Sequence, residues 1–171
     1  MKKYFFLILL FGCYLSSCTK QDRDNTIIDQ EESIDNYISS LGANAKVIRN
    51  GNVSRVIVKE GSGEEIVAGD SVIFYYAAYI FSSGKGELFA TNNIEVAKAS
   101  EFKTDGKLER RVVGSKDMLV GLSSGLVGAK RGETCNIVFS AKYGYNNTVV
   151  YNVPKLSPLF FEVWIESIIK N

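Results

Sequence analysis

The chain has 171 residues, 46% of them hydrophobic and 23% charged, with 20 basic against 19 acidic residues and no histidine. This composition describes one globular domain with a short extension, and its balanced charge shows no excess that points to nucleic acid or to an anionic surface. Without histidine there is no Ser-His-Asp triad, no Cys-His pair and no His-ligated metal site.

Residues 1–17 have the order of an export signal. Lys2 and Lys3 form a basic start, Phe5 to Leu15 an apolar run broken only by Gly12, and Ser16-Ser17 precede Cys18. A run of this length is too short for a membrane span, which needs ~20 residues, but suits a signal-peptide core. Leu15-Ser16-Ser17-Cys18 resembles the bacterial lipobox, in which the cysteine is lipidated and becomes the first residue of the mature chain; a plain signal peptide cleaved nearby is the alternative. The lipobox reading implies a membrane attachment through Cys18, on an outer membrane and facing either the periplasm or the cell surface. It leaves Cys135 as the sole free cysteine of the mature chain, and the alternating run Cys135-Asn136-Ile137-Val138-Phe139 makes that residue a small core side chain.

Residues 18–25 are polar after Cys18 and read as a flexible lipidated tether. The segment 26–52 is expected to hold an N-terminal helix and a lead-in strand. Ile27, Ile28, Ile34, Tyr37, Ile38 and Leu41 fall near the 3.6-residue period, Thr26 with Asp29 suggests a capping box, and Gly42 ends the helix. Residues 19–35 carry two basic and six acidic side chains, a solvated acidic face in the simplest reading and a contact surface in the other.

From residue 53 to 171 the pattern is that of an α+β domain. Val53 to Lys59 is β-branched, and Ser71 to Phe81 is β-branched and aromatic, too long for a flat strand without a bulge. Gly84-Lys85-Gly86 turns the chain into Glu87-Leu88-Phe89. Residues 91–107 show no clear period and read as a long flap. Arg110 to Val113 suits a short strand, Asp117 to Val127 a short helix, Glu133 to Ser140 a further strand and Leu159 to Ile169 a final one. The loop 146–158 between the last two holds both prolines.

No nucleophile–base pair, phosphate loop or metal-ligand cluster is present, so neither a metal nor a cofactor is implied. Aromatic density stands out instead, with ten Phe and nine Tyr. Tyr75, Tyr76 and Tyr79 share one strand, while Tyr143 and Tyr145 flank Gly144. Most of these rings are core; the sharper reading is an apolar pocket with one or two phenolic hydroxyls as orienting groups.

Five segments in order carry a family resemblance. Gly69-Asp70-Ser71-Val72-Ile73-Phe74-Tyr75-Tyr76 resembles the Gly-Asp-x-Val-x-Val-x-Tyr strand of FKBP-type peptidyl-prolyl isomerases. Lys85-Gly86-Glu87-Leu88-Phe89-Ala90 resembles that family's Asp-Gly-x-x-Phe-Asp hairpin, and Val120 to Leu126 its Gly-Trp-x-x-Gly-Leu helix. Phe139 to Asn146 is similar to Ile-Pro-x-x-Leu-x-Tyr-Gly, and Val153-Pro154 with Leu159 to Val163 to the closing Ile-Pro-Pro…Leu-x-Phe-x-Val. The resemblance covers roughly 53–169. It implies an antiparallel sheet wrapped on one short helix and an isomerase of X–Pro bonds in exported, proline-containing polypeptides. The preceding helix and tether resemble those of FKBP-type outer-membrane lipoproteins.

The family's pattern places Tyr76, Phe89 and Phe161 on the pocket wall and Leu122 on its floor. Met118 and Leu119 would form the strand-to-helix edge, with the Leu119 N–H facing a substrate carbonyl. Tyr145 would be the hydroxyl donor and Val153 would close one side. Departures are specific: Lys85 and Ala90 stand where the hairpin usually has acids, and Leu122 where tryptophan is usual. In the flap, Phe102 is one candidate for the next pocket aromatic, while counting back from the helix reaches Glu109. The other functions open at this point are a catalytically weak or inactive FKBP-like lipoprotein that binds a peptide or protein partner, and a structural subunit whose pocket is filled by 91–107.

Overall fold

The computed structural model describes residues 2–171, with side chains from Lys20 onward; Cys18 and the signal segment lie outside the described side chains. A long helix, α1 (Lys2–Ser40), precedes a seven-stranded antiparallel sheet. Its strands are β1 (Lys46–Asn50), β2 (Val53–Lys59), β4 (Ser71–Phe81), β5 (Lys85–Thr91), β6 (Glu109–Val112), β8 (Thr134–Phe139) and β9 (Leu159–Ile169), in spatial order β1-β2-β8-β9-β4-β5. β3 (Ser62–Glu65) and β7 (Lys130–Arg131) form a separate two-stranded ribbon. The short helix α3 (Val120–Leu126) packs on one face of the sheet, giving the expected α+β architecture.

The period of two along each strand divides the apolar residues between two cores. Val53, Val72, Phe74, Ala78, Cys135, Ile137, Phe139, Leu159, Phe161 and Val163 point toward α3. Val56, Phe81, Val138 and Phe160 point the other way, against Ile34 and Ile38 of α1. Tyr37 joins this second core edge-on, its ring centroid 5.6 Å from that of Phe81 and 6.1 Å from that of Phe160. Both faces of the sheet are therefore covered, one by α3 and the other by α1.

β4 matches its expected limits and bends as its length demands. Against β9 the register shifts between Ile73 and Phe74, and against β5 it shifts on either side of Tyr79. Its free edge is shared, with Ser71–Phe74 pairing β6 and Ala77–Phe81 pairing β5. That division leaves room for the 92–108 excursion to leave and rejoin the same edge.

Several local expectations are corrected. The segment 20–25, read as a tether, is helical and continuous with the rest of α1. Thr26 is consequently interior to the helix, its hydroxyl donating back to the Asp22 carbonyl at 2.8 Å instead of capping a helix start. Ile28 and Leu41 are exposed, so the packing stripe is narrower than the sequence period suggests. Gly42, at φ +82°, does end the helix in the left-handed conformation. The 91–107 flap contains a short helix, α2 (Ile94–Ala99), whose N-cap Asn93 accepts from the Glu95 and Val96 N–H groups. α3 begins at Val120, because Ser115 to Met118 forms a turn closed by Met118 N–H to Ser115 O at 3.3 Å.

Candidate functional site

One open cavity of about 150 Å³ lies between the sheet, α3 and the loop after β8. β4 supplies Phe74, Tyr76 and Ala78, all on the face turned toward α3. β5 adds Phe89 and Ala90, β9 adds Phe161, and Leu122 projects from α3. Met118 and Leu119 come from the turn that enters α3, and Tyr145 from the loop beyond β8. Glu109, Arg111 and Asp117 complete the lining with charge.

The aromatic rings hold one another in place. Phe161 stacks on Phe139 below it, with centroids 5.8 Å apart and planes inclined by 17°. Phe89 meets Phe161 edge-on at 6.2 Å and Tyr145 edge-on at 6.3 Å. Tyr76 lies 6.2 Å from Phe161 on the other side. These separations fall in the range that ring quadrupoles favour for offset-stacked and edge contacts.

Two polar groups at the rim remain available. The Tyr145 hydroxyl is half-buried, and burial pushes its pKa up, with the nearby Tyr151 adding to the rise. Leu119 precedes α3 at φ −57° and ψ 135°, and among the described residues its N–H has no backbone acceptor. Tyr76 is likewise raised, first by burial and then by the Glu109 carboxylate, so both phenols remain protonated donors at neutral pH.

The charged side of the cavity is a small network. Arg111 lies 2.6 Å from Glu109 and 3.2 Å from Asp117 and joins the two carboxylates across the mouth. These pairs are partly exposed, so they set the shape of the rim more than its stability.

The structure thus brings together Tyr76, Phe89, Met118, Leu119, Leu122, Tyr145 and Phe161, all expected from the sequence. Val153 does not join them. It is 1% exposed and belongs to the apolar core, its backbone paired with Val150 in an isolated bridge. Phe102 does not line the cavity either: its N–H closes the end of α2 on the Ala97 carbonyl, and Glu109 holds the wall position. Residues 91–107 therefore leave the cavity open.

Sequence reasoning missed Phe74, Ala78, Arg111, Asp117 and the supporting Asn92. The period of two from Tyr76 reaches Phe74 and Ala78, and from Glu109 it reaches Arg111. Asn92 had no such signal. It is buried, accepts the Tyr76 N–H at 2.7 Å, and donates to the carbonyls of Phe74 at 3.3 Å and Lys107 at 2.9 Å. One side chain thereby ties both ends of the excursion to the strand that carries Tyr76.

Comparison with known proteins agrees with this architecture. Residues 62–166 match the family described as FKBP-type peptidyl-prolyl cis-trans isomerase, and the chain belongs to that family. It is similar to FK506-binding protein 1 of Aspergillus oryzae, with 26% identity over 65% of this chain and 93% of the relative. Among solved structures, the N-terminal domain of FKBP42 from Arabidopsis thaliana has a TM-score of 0.60 at 21% identity, covering 75% of this chain and 96% of that one. FkpA from Escherichia coli gives 0.61 at 18%, covering 95% of this chain and 70% of that one. A peptidyl-prolyl cis-trans isomerase from Pseudomonas syringae gives 0.62 at 13%, covering 86% and 96%. At these identities the structural likeness shows the fold.

Proposed function

We propose that the protein catalyses cis–trans isomerisation of X–Pro bonds in exported polypeptides, with the proline ring in the Tyr76–Phe89–Leu122–Phe161 cavity. The observation that carries this reading is a cavity of about 150 Å³, aromatic and aliphatic along its wall and floor and charged at its mouth, with the Leu119 N–H and the Tyr145 hydroxyl at its rim. Pockets for drug-sized ligands run to ~300–1,000 Å³, so this one suits a single small ring with its chain outside.

The chemistry needs no general base. Amide resonance sets a rotation barrier of ~18–20 kcal/mol, and twisting the bond uncouples the nitrogen from the carbonyl. The twisted amide is less polar than the planar one, so an apolar wall disfavours the ground state relative to the transition state. The Leu119 N–H would hold the substrate chain, and the Tyr145 hydroxyl would donate to the carbonyl as it rotates. Leu122 and Phe161 would pack on the ring, with Met118 against the residue that follows. Orientation and differential solvation together lower the barrier without bond making.

The decisive test is NMR exchange on a short Xaa-Pro peptide with the purified chain. Exchange well above background is expected, and Tyr145→Phe should lower kcat by about tenfold with KM little changed. Binding of the peptide without faster exchange in the wild type would overturn the proposal, and recovery in Ala90→Asp would then identify a peptide-binding module.

The same reading places the protein on an outer membrane, facing the periplasm or the cell surface, through a lipid on Cys18. The basic start, apolar run and Leu15-Ser16-Ser17-Cys18 tetrad support it by their order and spacing. Expression with a labelled fatty acid in a bacterial host should mark the wild type and leave Cys18→Ser unlabelled. Equal labelling of both would refute the anchor.

A further inference from the structure

We propose that Gln30, on the opposite face of the sheet from α3, is the positioning residue for Tyr145. The proposal rests on Tyr145 acting as the hydroxyl donor in the reaction above. Its origin is a pair of hydrogen bonds that cross between α1 and the loop after β8. Gln30 Oε1 accepts the Ala141 N–H at 2.9 Å, and Gln30 Nε2 donates to the Leu156 carbonyl at 2.6 Å.

Ala141 and Leu156 are the two feet of the loop that carries Tyr145. The Asn146 N–H donates to the Ala141 carbonyl at 2.8 Å, and the Leu156 N–H donates to the Asn146 carbonyl at 2.7 Å. Gln30 closes this ring of bonds by holding both feet with one side chain. Asn146 at φ +53° takes the left-handed form that asparagine tolerates, whereas Leu156 at φ +58° takes it because the surrounding contacts of the ring impose it. Tyr145 sits directly before Asn146, so the direction of its hydroxyl depends on that imposed geometry.

α1 is a suitable fixture. Ile34 and Ile38 anchor it in the second core, and Glu31 beside Gln30 accepts from the Ser140 hydroxyl at 3.2 Å. An amide is also the functional group the task requires. The Ala141 N–H needs an acceptor and the Leu156 carbonyl needs a donor, and glutamine offers both at neutral pH, where a glutamate of the same length would be ionised and offer only acceptors. A carboxylate at this position would face a carbonyl oxygen with no proton between them.

The test uses the full chain, Gln30→Ala, Gln30→Glu, Tyr145→Phe and the Gln30→Ala/Tyr145→Phe double variant in the peptide exchange assay. Gln30→Ala should lower kcat by about tenfold with KM nearly unchanged, because misplacement of a reacting group acts on the transition state. Added to Tyr145→Phe, the same change should have little further effect, since both act through one hydroxyl. Gln30→Glu should be impaired at neutral pH and recover as the pH falls and its carboxyl protonates, whereas the wild type should not gain. Wild-type kcat in Gln30→Ala, full additivity in the double variant, or no recovery of Gln30→Glu would each overturn the proposal. Should the wild type itself lack isomerase activity, the functional reading fails separately, and amide exchange judges the clamp. Gln30→Ala should then speed exchange at Asn146 and Leu156 by about tenfold, and unchanged exchange there would overturn it.

Discussion

Asp70 belongs to the Gly-Asp motif that opens β4, and its role is structural. Its carboxylate accepts the Val67 N–H at 2.8 Å and the Lys170 ammonium at 2.7 Å, joining the turn before β4 to the C-terminal end of the sheet. The Lys170 hydrogen bond, followed by that from Val67, holds its pKa below the ordinary 3.8. A carboxyl lowered by folding adds stability at pH values above the unfolded pKa, and loses it as the pH falls through the folded one. Chemical denaturation followed from pH 6 downward should therefore show a loss of stability beginning near pH ~4. In Asp70→Asn the stability should be lower at pH 6 and the acid slope shallower. Equal slopes in the two proteins would show that Asp70 carries none of the acid sensitivity. A different balance governs Arg55 and Glu133, which are 4% and 2% exposed with Nε and Oε1 3.4 Å apart, too poorly aligned to hydrogen-bond. Arg55 instead caps the end of α3 by donating to the Gly125 and Val127 carbonyls, while burial pushes the Glu133 carboxyl up more than Arg55 pulls it down.

At the level of elements, α3 shows why a short helix needs its glycines. A Cβ on Gly121 would enter the Phe139 ring, and one on Gly125 would enter the Ile137 side chain. Both positions, four residues apart on one face, are therefore bare so that the helix can lie directly on β8. Because Leu119 and Leu122 line the cavity and Phe139 supports Phe161, this close approach also sets the depth of the site. Gly121→Ala should destabilise the fold by about 1–3 kcal/mol through overpacking, measured as a shift in the urea midpoint. A midpoint unchanged from wild type would mean that α3 tolerates greater separation from the sheet. The sequence period locates α3, β4, β8 and β9, since each has regular apolar spacing. It misses α2 and lengthens α3, because Asn93 capping and the Ser115–Met118 turn are local hydrogen-bond choices that hydrophobic spacing does not record.

For the molecule as a whole, the consequential feature is the cover that α1 places over the second face of the sheet. Without it, Val56, Phe81, Val138 and Phe160 would form an exposed apolar patch of the kind soluble monomers avoid. Ile34 is 3% exposed at the centre of this contact. Ile34→Ala should cost about 2–4 kcal/mol, the usual range for truncating a buried aliphatic side chain, and lower the thermal midpoint. A change near zero would mean that α1 contributes little to the stability of the sheet. The acidic stretch in the second half of α1 meets part of its balance here, with Asp35 paired to Arg49 of β1 at 2.5 Å and Glu31 accepting from Asn52 at 2.6 Å.

The sequence by itself determined the α+β class and the long strands, which are encoded in residue types at short, regular spacing, while the family and seven of the eight pocket residues it named came through the resemblance of five ordered segments to FKBP-type isomerases. Only the tertiary structure decided that Val153 belongs to the core, that Glu109 and Arg111 form one wall, and that the 20–25 segment is helical. It alone revealed Asn92 beneath Tyr76 and Gln30 beneath the Tyr145 loop. Those two side chains act on backbone groups distant in the chain, and no local period or propensity registers a hydrogen bond whose partners meet only when the sheet has closed.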